Sequence, residues 1–428
     1  MSILTKKELR QLFFYQVYVR NHTKEGTFKA LEKDLDRIQD LGVDFLYLIP
    51  IHEIGKKQKK GELGCPYSIQ DYRSVNSEYG TLQDFESLVE ETHKRSMKVM
   101  IDVVFNHTSH DSVLLEKHPE YFYKNQNGEF ANRVGDWWDI TDLDYTKDKG
   151  LWEELISTLE YWANLGVDGF RWDVASLLPI EFLEMAHERL LEINPDVVFL
   201  SESVHGGFVA YLRNQGFKCL SESEIYQVFD IAYDYDIHPY FEGYLQGKNT
   251  FKRFLEELQR QEEVYPENYI KLRNLENHDF GRFAPMVEND IAKIRNWTAL
   301  NFFSKGATMI YAGQEFCDNN KPSLFDQDFV NWGGKNISGL IRILAPIVKQ
   351  EIFSHGNYHI RITEKELYIG SYQYKGEEMI GIFNVGKEEE PFHIDIKDGT
   401  YLNLLDGSTF EVMEGMMDLQ KHPIIFKR

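Results

Sequence analysis

The chain repeats one pattern. A short apolar run rich in aromatic and β-branched residues is followed by a longer segment whose apolar positions recur every three or four residues. Leu12 to Val19 reads as the first strand, and Thr27 to Leu41 follows with Leu31, Leu35, Ile38 and Leu41 at helical spacing before Gly42. Phe45 to Ile49 is a short buried strand closed by Pro50. Leu82 to Arg95, Leu151 to Leu165 and Pro179 to Ile193 read as helices, each leading into a strand: Lys98 to Phe105, Val167 to Trp172 and Val197 to Ser201. Phe229 to Tyr233, Tyr269 to Leu275 and Ala307 to Tyr311 bring the strands to eight. Such alternation means parallel strands joined by helical crossovers, and eight repeats predict an α/β fold, a closed (β/α)8 TIM barrel.

Two stretches break the rhythm. His107 to Lys149 is polar and aromatic with no long periodic run, too long for an ordinary loop, and is expected to be a short inserted subdomain (domain B) after the third strand. After Pro346 the pattern becomes strict alternation, as in Leu367-Tyr-Ile-Gly-Ser-Tyr and Met379-Ile-Gly-Ile-Phe, which predicts a C-terminal antiparallel β domain. The expected organisation is a catalytic barrel over 1–106 and 150–345, an insert over 107–149 and a β-sandwich-like domain over 346–428.

Composition narrows the partners. A chain of 428 residues with 42% apolar content supports a large core and more than one domain. Its net charge of -22 argues against nucleic acid and anionic membranes. Cys65, Cys219 and Cys317 are sparse and lack C-x-x-C spacing, so neither a disulfide framework nor a zinc site is expected. The stretch Met1 to Glu8 has no apolar core of signal-peptide type, and no run approaches the roughly 18 apolar residues of a membrane span. A cytoplasmic protein is the expectation.

The candidate chemistry lies where strands stop. Four segments do this: Asp102-Val-Val-Phe-Asn106-His107, Gly169-Phe-Arg171-Trp-Asp173, Phe199-Leu-Ser-Glu202 and Asn274-Leu-Glu-Asn277-His278-Asp279. In a parallel barrel all strand C-termini open onto one face, so these distant segments are expected to share one pocket. Asp173, Glu202 and Asp279 fall at the ends of strands four, five and seven. Two carboxylates flanking a glycosidic oxygen can cleave it, one as proton donor and one as nucleophile. The donor needs a raised pKa, which burial beside other acids supplies. Arg171 projects to the same side of its strand as Asp173 and would hold that carboxylate ionised, which suits a nucleophile. His107 and His278 stand where they would donate to sugar hydroxyls. A lone Asp or His at such a position reads as a cap or a structural group; the combination carries the reading. The Asp and His groups have neither H-E-x-x-H spacing nor a cysteine, which excludes the usual catalytic zinc. Calcium on Asn106 and carbonyls of the insert is the metal reading that remains.

On these motifs the chain resembles, over nearly its full length, glycoside hydrolase family 13, the α-amylase family. The four segments resemble that family's D-x-x-x-N-H, G-x-R-x-D, strand-five Glu and N-H-D motifs. Gly42 to Pro50, Gly306 to Glu315, Asp142-Leu-Asp144 and Tyr67-Ser-Ile-Gln-Asp71-Tyr72 are similar to its secondary motifs. The resemblance implies Asp173 as nucleophile, Glu202 as acid/base and Asp279 as the third acid. It implies Arg171 as orienter, and Tyr67, Asp102, His107 and His278 as sugar contacts. It also implies retention of configuration, with the two reacting carboxyl groups about 5–5.5 Å apart.

The chain departs from the family pattern in the shortness of its insert and after the nucleophile. The Lys-His pair that follows the nucleophile in many α-amylases is absent; Val174 to Pro179 stands there instead. This points to the glucosidase and maltodextrin-acting side of the family, and it weakens the calcium reading. His205 has two readings, a product-side sugar contact and a cap of the next loop. The expected function is retaining cleavage of α-1,4-glucosidic bonds in maltodextrins. An exo-acting α-glucosidase or a transglycosylase is the alternative, because water and sugar acceptors attack the same intermediate. A non-catalytic carbohydrate-binding relative is the third reading, and the presence of all three acids argues against it.

Overall fold

Eight short strands form a closed parallel barrel in which neighbours in sequence are neighbours in space. They are β1 (Phe13–Val17), β2 (Phe45–Leu48), β3 (Lys98–Val103), β4 (Gly169–Trp172), β5 (Val198–Ser201), β6 (Ile231–Tyr233), β7 (Lys271–Arg273) and β8 (Ala307–Tyr311). This computed structural model describes residues 5–134, 136–386 and 388–428. The first four residues of the stretch read as lacking a signal peptide lie outside them. Every residue of β1, β2, β4 and β5 is buried, because helices cover the outside while side chains fill the inside. That is why these strands read as mostly apolar runs, with Gln16, Arg171 and Ser201 the exceptions.

The chain divides into two compact units, one holding 14–233 and 320–330, the other 5–13, 234–319 and 331–428. In the first, the helix Leu82–Lys94 starts at a capping box, in which Thr81 and Asp84 satisfy each other's backbone N–H groups. Phe85, Leu88, Val89 and Thr92 are its buried residues, one stripe at i, i+3, i+4 and i+7. Burying each of the three apolar ones contributes about 1.5–3 kcal/mol. The helix Gly150–Asn164 ends at Gly166, whose φ of 93° suits the left-handed turn that stops a helix. Between β3 and β4, His107–Ser109 pairs antiparallel with Ile140–Asp142, so the segment read as an insert is closed by its own small sheet.

The stretch read as one helix from Thr27 to Leu41 is two, Phe28–Glu32 and Leu35–Asp40. The break falls at Asp34, whose carboxylate is drawn to the His22 imidazole at 2.7 Å and the Arg37 guanidinium at 2.6 Å. These contacts reward a bend that apolar spacing does not register.

In the second unit, Asn357–Arg361, Leu367–Tyr374, Glu377–Asn384 and Ile424–Lys427 form one antiparallel sheet. Phe392–His393, Gly399–Leu402, Thr409–Met413 and Met416–Met417 form another. Leu367, Ile369, Ile380 and Ile382 of the first meet Phe392, Phe410, Val412 and Met417 of the second in one core. Among the described residues no helix is long and apolar enough to cross a membrane.

One buried group gives the fold a pH dependence. His52 lies against Trp162, with ring centroids 5.3 Å apart, and burial pushes its pKa from 6.5 down to about 4. A lowered folded pKa means stability that is complete above pH 6.5 and lost as pH falls towards 4, worth about 3 kcal/mol for this one group. The melting temperature is expected to drop over that interval. His52→Phe, which cannot titrate, should drop less. An unchanged slope in this variant would remove His52 as the cause and leave the half-buried His238, also pushed down to about 4.

Candidate active site

At the C-terminal ends of β3, β4 and β5 three carboxylates converge on one guanidinium. Arg171 is fully buried. Its Nη1 donates to Asp102 Oδ1 at 2.7 Å and to Asp173 Oδ1 at 2.9 Å, and its Nη2 forms an ion pair with Glu202 Oε2 at 3.0 Å. Burial alone would drive Arg171 towards neutrality, but the charges of Asp102 and Glu202 outweigh it and hold the side chain protonated well above the ordinary guanidinium range. Three carboxylates against one cation leave the site with a formal surplus of negative charge. A positively charged transition state needs that field.

The backbone contributes a donor. Val174, directly after Asp173, has φ 38° and ψ 44°, a left-handed conformation that a β-branched residue rarely adopts. In it the Val174 N–H donates to Glu202 Oε2 at 2.7 Å. Strain at one residue thus aims an amide at the neighbouring strand's carboxylate.

Asp102 accepts at Oδ2 from two phenols, Tyr67 at 2.9 Å and Tyr47 at 3.0 Å. Tyr233 donates to Tyr47 at 3.4 Å, and Gln16 to Tyr233 at 3.4 Å, so β1, β2 and β6 back the carboxylate with a polar layer. His107 Nε2 lies 3.2 Å from the Tyr67 carbonyl, and its ring packs 5.7 Å from that of Trp137. Burial lowers its pKa, which favours the neutral imidazole.

In the second unit, Asp279 follows β7. Tyr235 donates to its Oδ2 at 3.1 Å, the His278 Nε2 lies 3.4 Å from the same oxygen, and Asn277 donates to the Tyr235 hydroxyl at 2.9 Å. Asn277 Oδ1 also accepts the Asp279 and Phe280 amides, which sets the turn that presents the acid. Glu276 anchors this loop through Arg282 at 2.6 Å and the Phe283 amide at 2.6 Å.

Carboxylates at the ends of successive barrel strands, bound by one arginine, are an arrangement for glycosyl transfer chemistry. Sequence comparison agrees with the geometry. The family model "Alpha amylase, catalytic domain" matches residues 11–139 and 122–338, and "Bacterial Alpha amylase C-terminal domain" matches 359–426. The chain belongs to the α-amylase family, glycoside hydrolase family 13.

Among solved structures this family member is similar to an alpha-amylase from Lactobacillus plantarum, at 40% identity and a TM-score of 0.96 over 99% of this chain and 100% of that one. It is also similar to a maltogenic alpha-amylase from Thermotoga neapolitana, at 29% identity and a TM-score of 0.88 over 98% of this chain and 99% of that one. Among curated proteins it is similar to the alpha-1,4-glucan:maltose-1-phosphate maltosyltransferase of Salinibacter ruber, 31% identical over 214 residues, 44% of this chain and 32% of that protein. The chain spans about a third of the length of such curated relatives.

The structure therefore brings Tyr67, Asp102, Arg171, Asp173 and Glu202 into one cluster, with His107 joined to it through Tyr67. His278 and Asp279 are neighbours in their own unit. His205 caps the helix Gly206–Asn214, its Nδ1 accepting from the Phe208 amide at 3.2 Å. Tyr47, Tyr233, Gln16, Tyr235 and the Val174 amide were not legible as site residues. Tyr47 and Tyr233 sit inside apolar strand runs, where an aromatic reads as core. Only their hydroxyl partners reveal the second role.

Asn106, the expected calcium ligand, turns its amide nitrogen to Asp142 Oδ1 at 3.4 Å and to His107 Nδ1 at 3.1 Å. Arg133 donates to Asp142 Oδ2 at 3.1 Å. A donor amide and a guanidinium around this carboxylate do not fit a calcium ion, which needs converging oxygens.

Proposed function

We propose that this protein is a retaining α-glucan-acting enzyme that cleaves α-1,4-glucosidic bonds in maltodextrins. The observation that carries the reading is the single buried Arg171 joined to both Asp173 and Glu202 at the ends of adjacent strands. In the proposed cycle Asp173, oriented by Arg171, attacks the anomeric carbon. Glu202 gives its proton to the departing glycosidic oxygen. A β-linked glycosyl-enzyme forms, and Glu202 then takes a proton from water, which displaces Asp173 and restores the α configuration. Arg171 and the Val174 amide both hold Glu202 Oε2 and fix its orientation. Asp279 is assigned to stabilising positive charge in the transition state, with Tyr235 orienting it. Tyr67, Asp102, His107, His205 and His278 are assigned to sugar hydroxyls or rings. The three cysteines are unpaired, which suits a reducing, cytoplasmic setting.

The likeness to the Lactobacillus plantarum alpha-amylase over nearly the whole chain favours hydrolysis. The curated maltosyltransferases favour a second reading, transfer of the glycosyl unit to a sugar instead of water. A timed product profile separates the two. Maltoheptaose is incubated with the enzyme, with Glu202→Gln as control. Shorter maltodextrins alone, absent in the control, support hydrolysis. Products longer than the substrate, or chain growth with phosphate release from maltose 1-phosphate, support transfer. No change in any arm would overturn the substrate class.

A further inference from the structure

Arg133 has no part in the proposed reaction, yet it is more heavily engaged than any surface arginine needs to be. Its backbone N–H donates to Asp142 Oδ2 at 2.8 Å, and its Nη1 donates to the same oxygen and to the Leu143 carbonyl, each at 3.1 Å. The guanidinium carbon lies 4.6 Å from the centre of the Tyr123 ring and 5.9 Å from that of Phe217. Those two rings meet each other at 6.5 Å. Tyr123 and Asp142 belong to the segment inserted between β3 and β4, and Phe217 follows the helix Gly206–Asn214 that comes after β5. One cation thus joins the insert to a second loop of the same face.

The carboxylate it serves is 1% exposed. Burial raises the Asp142 pKa and Arg133 opposes that rise. A charge so buried is costly unless it is compensated. Asp142 is also the cross-strand partner of His107, the Leu143 N–H donates to the Asn106 carbonyl at 2.9 Å, and the Asn106 amide touches both Asp142 and His107. Calcium would need about six to eight oxygens at roughly 2.3–2.6 Å. Here Asp142 Oδ2 and the Leu143 carbonyl already accept from one guanidinium nitrogen, and Asn106 presents a donor.

We propose that Arg133 is a built-in cation that clasps the insert to the barrel in place of a divalent metal, and that through Asp142 it positions His107 for the sugar. The inference holds whether the enzyme hydrolyses or transfers, and its thermal arm is independent of any substrate.

The test compares the wild type, Arg133→Ala and Arg133→Lys by thermal melting in EDTA and in calcium chloride, and by kinetics on maltoheptaose. The wild type is expected to melt at the same temperature in both solutions, to within about 1 °C. Arg133→Ala should melt several degrees lower and show a KM raised roughly tenfold with a smaller change in kcat, because a displaced contact residue weakens positioning more than bond breaking. Millimolar guanidinium should recover part of both losses, and Arg133→Lys should recover melting more than KM, since an ammonium lacks the planar fork. A wild type that loses stability in EDTA and regains it with calcium would overturn the proposal, and so would an Arg133→Ala protein with unchanged melting and KM. If Arg133→Ala does not fold, the wild-type EDTA series and Arg133→Lys still decide. Inactivity on maltoheptaose would refute the proposed substrate and leave the melting comparison standing.

Discussion

Asp173→Gly should lower turnover of maltoheptaose about 10⁵-fold, because the group that forms the covalent bond is gone while binding is kept. The informative result is rescue. With α-maltosyl fluoride as donor, azide can enter the space left by the carboxylate and attack the anomeric carbon from the face Asp173 occupied. The C–F bond breaks, a C–N bond forms, and the product is the β-azide. Glu202→Ala should behave differently. Fluoride leaves without a proton, so the glycosyl-enzyme still forms on Asp173, and azide displaces it from the opposite face to give the α-azide. On unactivated maltodextrin Glu202→Ala should lose about 10³–10⁴-fold, the usual worth of a positioned proton donor and acceptor. Chromatography and the anomeric proton coupling of the two azides read the outcome. The same anomer from both variants, or the two anomers exchanged, would overturn the assignment of nucleophile and acid/base.

Replacing Arg171 by Met should produce the other large loss. The side chain is fully buried and contacts Asp102, Asp173 and Glu202. Its removal leaves like charges facing one another, at a cost of about 3–5 kcal/mol for breaking a buried pair. The pH sign follows from the raised folded pKa of Arg171. Its stabilisation is complete below the unfolded value of 12.5 and is lost only above it, so ionisation of the guanidinium itself adds no pH dependence from pH 5 to 9. Activity should behave otherwise. Without the guanidinium the carboxylates hold protons to higher pH, so the acid limb of kcat/KM should move upward, with a fall of about 10³-fold at neutral pH. Arg171→Lys supplies charge but cannot reach both carboxylates as a fork does, so it should recover stability more than rate. Unchanged kcat/KM in both variants would show that the arginine only fills space.

The barrel was legible because its strands are buried on both faces and helices such as Leu82–Lys94 on one. β2 is an unbroken apolar run, β4 is interrupted only by Arg171, and the helix Leu82–Lys94 buries residues 85, 88, 89 and 92. Asp173 and Glu202 stood out because each directly follows a strand, and Asp279 because it closes the polar cluster after β7. The strands Gly399–Leu402 and Thr409–Met413 were not singled out. Their residues are largely exposed, and what makes them strands is pairing with each other across a turn, Thr400 opposite Glu411 and Tyr401 opposite Phe410.

The amino-acid order alone determined the alternation of strand and helix and the strand ends, since these depend on local periodicity and on where that periodicity stops. Tertiary structure decided which groups share a charge. It placed Tyr47 on Asp102 from 55 residues away, Arg133 on Asp142, and the strained Val174 amide on Glu202. It also broke the helical period at Asp34 for the sake of His22 and Arg37. Hydrogen bonds and ion pairs act over about 3 Å of space at any separation along the chain, and no spacing rule in one dimension encodes them.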